Sequence, residues 1–401
     1  MIRSSKHILK YQTKKKNNIL FETIKLIKSQ IQCYIDLICD NKLPLKKQLS
    51  SKDLSSDFIT HSRWKQLCYK TASEIIRSQI KQASNRRYKS YKKLYKKCFD
   101  KDNKSKHLRF TNKRFSELNL KSILLSKYFR IPELKNFSIN IDSRFFNIKN
   151  TNNHFDCFIH LITPIFNGRR GLTINIPFKH HRQSLKYKNW KLLNSTRLIY
   201  KNDKFFIELI YEKNTPNLKN TGKTIGLDNG YKKIAVTSEK QFLGDKLPDI
   251  IKVIINKKRG SNAYKRKLIN RTEYINKELK KLNLFDIKEL VIEDLKYVKF
   301  KSSLSKYMNN KLAYWIYSYI IRKLEILCEE NGVLLTKVDP AYTSQKCSNC
   351  GVVDKSNRKG EIYQCNCGLL IDADYNAAIN LSRMGIYGIH SHENLNFIDF
   401  H

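Results

Sequence analysis

Cys347-Ser-Asn-Cys350-Gly351, then Cys365-Asn-Cys367-Gly368, then at once Asp372-Ala-Asp374-Tyr-Asn376-Ala377-Ala378: this stretch decides how the 401-residue chain is read. Two close cysteine pairs, separated by the 14 residues Gly351 to Gln364, set four thiolates at the corners of a tetrahedron. That is the geometry zinc takes in closed structural sites. A glycine after each pair allows positive φ where the knuckle turns back and frees backbone N–H groups toward sulfur. The second pair has one intervening residue, a tighter knuckle than the commoner two. The plainer alternative, four buried or disulfide-bonded cysteines, explains neither the paired spacing nor the two glycines.

The other six cysteines (Cys33, Cys39, Cys68, Cys98, Cys157, Cys328) are scattered through apolar or helical surroundings. This suits a reducing compartment, where a free thiol behaves as a small hydrophobe. There is no leader with an apolar core and no uninterrupted apolar run of about 18 residues. The expected location is the cytoplasm, at the nucleoid. An organellar leader fits the basic start, Met1 to Leu20, but basicity along the whole chain explains those residues more simply.

Lys and Arg number 78 against 35 acids, a formal charge of +43. A compact protein with that excess needs a polyanion to neutralise much of it. The basic residues are spread over the chain and are not gathered on one amphipathic helix, which argues against a membrane surface. The 22 tyrosines and 20 phenylalanines interleave with the lysines, as phosphate pairing and base stacking require. The expected partner is nucleic acid.

Length allows two or three domains. Residues 1–134 read as a strand, His7 to Thr13, followed by helices. The first helix carries Ile19, Leu20, Ile24, Ile27, Ile31, Ile35 and Ile38 at 3–4 spacing. A polar loop with Pro44 covers 40–57. A second helical pattern runs from Trp64 through Leu67, Ala72, Ile76 and Ile80 into Tyr88, Tyr91 and Tyr95, one stripe flanked by cations. That stripe reads either as a core seam or as a grip on a nucleic-acid backbone. Residues 100–114 are charged and loop-like. Over residues 135–215 the period changes to short β-branched and aromatic runs, Phe137 to Ile141, His154 to Ile162, Gly171 to Ile176 and Phe205 to Tyr211. Turns at Asn167-Gly168 and Asn202-Asp203 separate them. This predicts a small antiparallel module, most simply a barrel.

After a linker, Thr215 to Gly222, comes Thr224-Ile225-Gly226-Leu227-Asp228-Asn229-Gly230. It reads as a strand and an Asn-Gly hairpin turn, with a second strand at Lys233 to Val236. A basic helical stretch, Lys257 to Leu282, leads to the strand Glu289 to Leu295. A helix, Ala313 to Glu330, is ended by Gly332, and the strand Val333 to Val338 precedes the cysteines. Strands alternating with helices predict an α/β domain.

Asp228, Glu293 and Asp374 each end or open an apolar element. Phosphodiester hydrolysis uses clustered acids to hold two divalent ions about 3.5–4 Å apart. Each acid also has an ordinary role open to it: a hairpin Asp, a solvent-facing strand end, and an N-cap for the helix beginning near Tyr375.

Gly226-Leu-Asp228-Asn-Gly230, Ile292-Glu293-Asp294-Leu295, Thr343-Ser344-Gln345-Lys-Cys347-Ser-Asn-Cys350-Gly351 and Asp372-Ala-Asp374-Tyr-Asn376-Ala377-Ala378-Ile-Asn380 together resemble the TnpB family, relatives of type V CRISPR effectors. The resemblance is specific over about 222–384 and rests on layout alone before 215. It implies a multi-domain α+β protein. The N-terminal helical region (1–134) and a wedge-like β barrel (135–215) would be followed by an RNase H-like (RuvC) nuclease domain in two parts, 222–342 and 372–384. A zinc ribbon, 343–371, interrupts that domain, and a tail, 385–401, ends the chain. It also implies a transposable-element RNA-guided DNA endonuclease. Its structural zinc would be held by Cys347, Cys350, Cys365 and Cys367, and its catalytic magnesium or manganese by Asp228, Glu293 and Asp374. Asp374 is preferred over its neighbour Asp372 because X-Asn-Ala-Ala follows it. The implied partners are a guide RNA and a double-stranded DNA target with a short flanking motif, bound by a monomer away from membranes. The alternatives are a nuclease-inactive RNA-guided DNA binder and a DNA-strand-transferring transposase.

Overall fold

The computed structural model describes residues 1–55, 58–95, 120–134, 137–151, 153–167, 170–295 and 312–386. Cys98, Gly168, the segment 100–114, the side chains of Tyr91 and Tyr95, and the tail from 387 onward lie outside the described residues. The chain is a mixed α+β protein in two compact units, Met1–Lys213 and Asn214–His401. Among the described residues no helix is long and apolar enough to cross a membrane.

In the first unit the 3–4 spacing does form a helix. α1 (Lys14–Cys39) is capped by Thr13, whose side chain accepts the Lys16 N–H. Its stripe of Leu20, Ile24, Ile27, Ile31, Tyr34, Ile35 and Ile38 is buried. That stripe packs in one core with Trp64, Leu67, Cys68, Ala72 and Ile76 of α2 (Ser62–Tyr95). The loop between them is pinned to α2, with the Tyr69 hydroxyl on the Pro44 carbonyl and Ser73 Oγ on the Lys46 carbonyl at 2.7 Å. A short helix, α3 (Leu120–Leu124), follows.

The antiparallel strands fall into two sheets. One has the order β1-β7-β6-β2 and the other β3-β4-β5, built from β1 (Ile2–Leu9), β2 (Phe137–Asp142), β3 (Phe146–Asn150), β4 (Cys157–Asn167), β5 (Arg170–Phe178), β6 (Lys191–Lys201) and β7 (Lys204–Glu212). The helical turn α4 (Arg182–Leu185) links β5 to β6. One expectation is corrected here. The first strand is Ile2–Leu9, not His7 to Thr13, and pairs with β7 along its whole length. Its inward positions are Ser5, His7 and Leu9 while Ile2 and Ile8 face out, so its polarity runs opposite to the usual alternation. β6 has no clean period because its register against β7 shifts between Leu192 and Thr196.

The second unit holds a five-stranded sheet of order β10-β9-β8-β11-β12. Its strands are β8 (Lys223–Asp228), β9 (Ala235–Thr237), β10 (Phe242–Leu243), β11 (Ile287–Glu293) and β12 (Leu334–Val338). β8, β11 and β12 are parallel, while β9 and β10 run antiparallel to their neighbours. α5 (Leu247–Ile255), α6 (Asn262–Leu279) and α7 (Tyr317–Asn331) contribute to the core on this sheet. Gly332, in the left-handed region at φ 64°, ends α7. The basic stretch from Lys257 becomes helical only at Asn262, where Ser261 accepts the Tyr264 N–H as the cap.

The expected Asn-Gly hairpin turn is also corrected. Asp228 pairs with Val236, so seven residues, Asn229 to Ala235, span the gap. Gly230 is absent from the positive-φ residues that a tight hairpin turn requires. Asn229 instead braces the wide turn from inside, donating Nδ2 to the Ile234 carbonyl at 2.9 Å. After β12 a small sheet of β13 (Arg358–Lys359), β14 (Ile362–Gln364) and β15 (Leu370–Asp372) runs directly into α8 (Ala373–Ile386).

Candidate metal centres

The four cysteines come together. Sγ of Cys347, Cys350, Cys365 and Cys367 all lie within 4.8 Å of one another, with Cys347–Cys367 and Cys350–Cys365 at 3.6 Å. A tetrahedron with arms of about 2.3 Å has edges of about 3.8 Å, so the donor set fits zinc. Gly351 and Gly368 take φ of 80° and 89°. The knuckles close through Gly351 N–H to the Cys347 carbonyl and Gly368 N–H to the Cys365 carbonyl, both at 3.0 Å. The single-residue spacing of the second pair therefore still delivers both sulfurs. The Leu369 N–H and then the Asn349 amide favour the Cys367 thiolate and pull that thiol down to about 6.

Parallel pairing sets the acids. Ile292 lies opposite Leu227, so Glu293 and Asp228 follow side by side at the C-terminal ends of adjacent strands. Asp374 comes from the first turn of α8, which lies on β8 so closely that a Cβ on Gly226 would meet the Ala378 carbonyl at 2.0 Å. This explains the quoted Gly226, Ala377 and Ala378: small residues let the helix backbone approach the strand. Asn376 and Asn380, one turn apart, lock the helix to the segment entering the ribbon. Asn376 takes the Ser348 N–H at 2.9 Å and donates to the Lys346 carbonyl at 2.8 Å, and Asn380 donates to the carbonyls of Thr343 and Lys346.

The three carboxylates act on one another. Asp228 is pushed well above the usual carboxylate range, first by loss of water and then by the charges of Glu293 and Asp374. Glu293 is raised chiefly by burial, against which the Thr343 hydroxyl and the Arg358 charge work. The Tyr317 hydroxyl holds the strand end, donating to the Glu293 carbonyl at 2.7 Å. Carboxylates that repel one another in a desolvated setting offer the hard oxygen donors that divalent cations take.

Asp372 does not join them. Its Oδ1 accepts the N–H groups of Asp374 and Tyr375, both at 3.0 Å, so the N-cap considered for Asp374 belongs to Asp372. Two cations that carried no signal in the sequence also sit here. Arg358 donates Nη2 to Asp374 Oδ1 at 2.8 Å, and Lys233 Nζ lies 3.5 Å from Asp374 Oδ2. Among 78 basic residues nothing distinguished either one.

Parts of this chain are similar to known proteins. The family model described as the Cas12f1-like TNB domain matches residues 317–381. A CRISPR-associated endodeoxyribonuclease Cas12f1 of Sulfoacidibacillus thermotolerans is 42% identical over 80 residues, 20% of this chain and 18% of that protein. A TnpB-like protein of Aquifex aeolicus (strain VF5) is 35% identical over 95 residues, 23% of this chain and 31% of that protein. The chain thus spans less than a third of either relative. Two solved structures share the fold. One is C2c1 of Alicyclobacillus acidoterrestris in complex with single-guide RNA (TM-score 0.52, 8% identity, 96% of this chain and 88% of that one). The other is CasPhi-2 (Cas12j) bound to crRNA and phosphorothioate-DNA (TM-score 0.50, 12% identity, 97% and 92%). The resemblance to the TnpB family, carried by the quoted motifs, is borne out by these likenesses.

Proposed function

We propose that the protein is an RNA-guided, divalent-metal-dependent DNA endonuclease of a transposable element. The observation that carries this reading is the convergence of Asp228, Glu293 and Asp374 from two parallel strand ends and a helix start. In this reading the second unit is an RNase H-like (RuvC) nuclease domain, 222–342 and 372–384, interrupted by the ribbon 343–371. The first unit supplies the helical recognition region, 1–134, and its two antiparallel sheets close as the wedge-like barrel, 135–215. The protein acts in the cytoplasm, at the nucleoid, as a monomer. The nucleic-acid-bound relatives and the charge of +43 support an RNA partner as well as DNA.

Asp228, Glu293 and Asp374 would hold the divalent ions, and Cys347, Cys350, Cys365 and Cys367 the zinc. Divalent ions held there would activate a water and stabilise the leaving oxygen. Loss of water and the charges of Glu293 and Asp374 favour the neutral form of Asp228, and a cation facing it would favour the carboxylate. Arg358 provides a guanidinium beside Asp374 that can pair with a phosphodiester oxygen. Sequence recognition falls to guide–target base pairing, with side chains reading a short flanking motif.

The test is to sequence the RNA that copurifies and to offer a matching double-stranded DNA with magnesium, then with EDTA. Cleavage that needs both RNA and metal supports the reading. Target binding without cleavage identifies a silent DNA binder, and joined strands identify a transposase.

A further inference from the structure

The turn between β8 and β9 sends two lysines toward the ribbon and α8. Lys232 meets Glu361 at 2.6 Å, with side chains 58% and 49% exposed, and such an open pair contributes little. Lys233 is held differently. Its side chain is 15% exposed; Nζ donates to Asp372 Oδ2, lies 3.5 Å from Asp374 Oδ2 and sits 5.2 Å from the centre of the Phe242 ring. Asp372 meanwhile spends its other oxygen on the α8 cap. Asp374 has Oδ1 on Arg358 and Oδ2 facing Lys233, so both of its oxygens are oriented.

We propose that Lys233 is a positioning residue for the acid centre: it ties the turn after Asp228 to the first turn of α8 and holds the Asp374 carboxylate toward Asp228 and Glu293. The inference rests on the metal-dependent reading above and adds to it a residue that touches no metal. A helix cap alone explains Asp372 but not the second approach of the ammonium to Asp374. Partners behind a ligand fix its direction, and their loss weakens ion binding by roughly 10–100-fold.

Charge and orientation predict opposite results here. Removing a cation from beside carboxylates strengthens their attraction for a divalent ion. Removing an orienting contact weakens it. Mn2+ is titrated into the full-length protein with free Mn2+ read by electron paramagnetic resonance. The part of the binding lost in Glu293→Ala belongs to the acid centre. Lys233→Met should raise the half-saturating Mn2+ concentration of that part by at least about tenfold, and Lys233→Arg should recover most of it. Asp372→Asn keeps a good cap but removes the charge that anchors Lys233, so it should shift binding the same way. If Lys233→Met does not fold, this variant decides. Binding as tight as wild type, or tighter, in Lys233→Met or in Asp372→Asn overturns the inference and leaves the metal reading standing. If wild type shows no component that Glu293→Ala removes, the metal reading falls and the inference with it.

Discussion

Arg358 Nη2 donates to Asp374 Oδ1, 16 positions further along the chain, at 2.8 Å, with the second cysteine pair between them. The ribbon is thereby attached to the acids through a side-chain bond as well as through the chain, β15 running straight into α8. Whatever loosens the ribbon should reach the acids.

Under the proposed function, replacing Asp228, Glu293 or Asp374 with Ala removes one carboxylate of the acid centre. Each variant should lose DNA cleavage by at least about 100-fold. Guided binding of the target should survive, because its energy comes from phosphate contacts and base pairing. Gel-shift and cleavage assays on the same preparations check this. A Glu293→Ala protein that cuts normally removes the assignment.

The protein should carry about one zinc per chain by elemental analysis. Cys347→Ser should lose that zinc, lower the melting temperature of the second unit and reduce cleavage, since Arg358 and Asp374 flank the same ribbon. Full zinc and unchanged melting in this variant would show that the sulfurs hold nothing.

Without divalent ions, Asp228 and Glu293 have carboxyl groups raised above their unfolded values. Groups of that kind hold more protons in the folded protein. Their stabilising share is present below the unfolded carboxylate range near pH 4 and is lost as pH rises through the folded values. In EDTA the second unit should therefore lose a share of its stability as pH rises from the unfolded carboxylate range near 4, and magnesium should lessen that loss. Thermal melts along a pH series upward from about 4, with and without magnesium, decide it.

His7 predicts the opposite slope for the first unit. Its ring is buried and stacked on His181 at 4.6 Å. Burial, followed by the charges of His181 and His180, pushes it down from 6.5 to about 4. The folded ring stays neutral while the unfolded one is protonated, so stability falls as pH drops from 6.5 toward 4, by at most about 3 kcal/mol. His7→Phe should flatten that decline in denaturant titrations. An unchanged decline would place its cause elsewhere.

Gly226→Ala puts a methyl 2.0 Å from the Ala378 carbonyl and 2.5 Å from the Ser382 nitrogen. Backbone on both sides cannot give way cheaply, so the cost should be roughly 1–3 kcal/mol, with α8 displaced from β8. Hydrogen exchange in residues 373–386 should accelerate, and a wild-type exchange pattern would contradict the close seat.

Much of this was legible because the decisive residues act locally. Paired cysteines with following glycines fix a knuckle by covalent geometry. The 3–4 stripe of α1 was equally plain. What escaped depends on distant partners. β1 buries Ser5 and His7, which only the opposite strand and the neighbouring histidines make acceptable. Arg358 and Lys233 differ from the other basic residues only in where the fold carries them. The wide turn after Asp228 hid behind an Asn-Gly pair that is usually a tighter one.

The order in which the chain is synthesised adds a last point. Asp374 is made after both strands that carry Asp228 and Glu293, and after the ribbon on which Arg358 sits. No nascent chain that ends before α8 can present the three carboxylates together. The acid cluster is therefore completed only when α8, the last described helix, has been made.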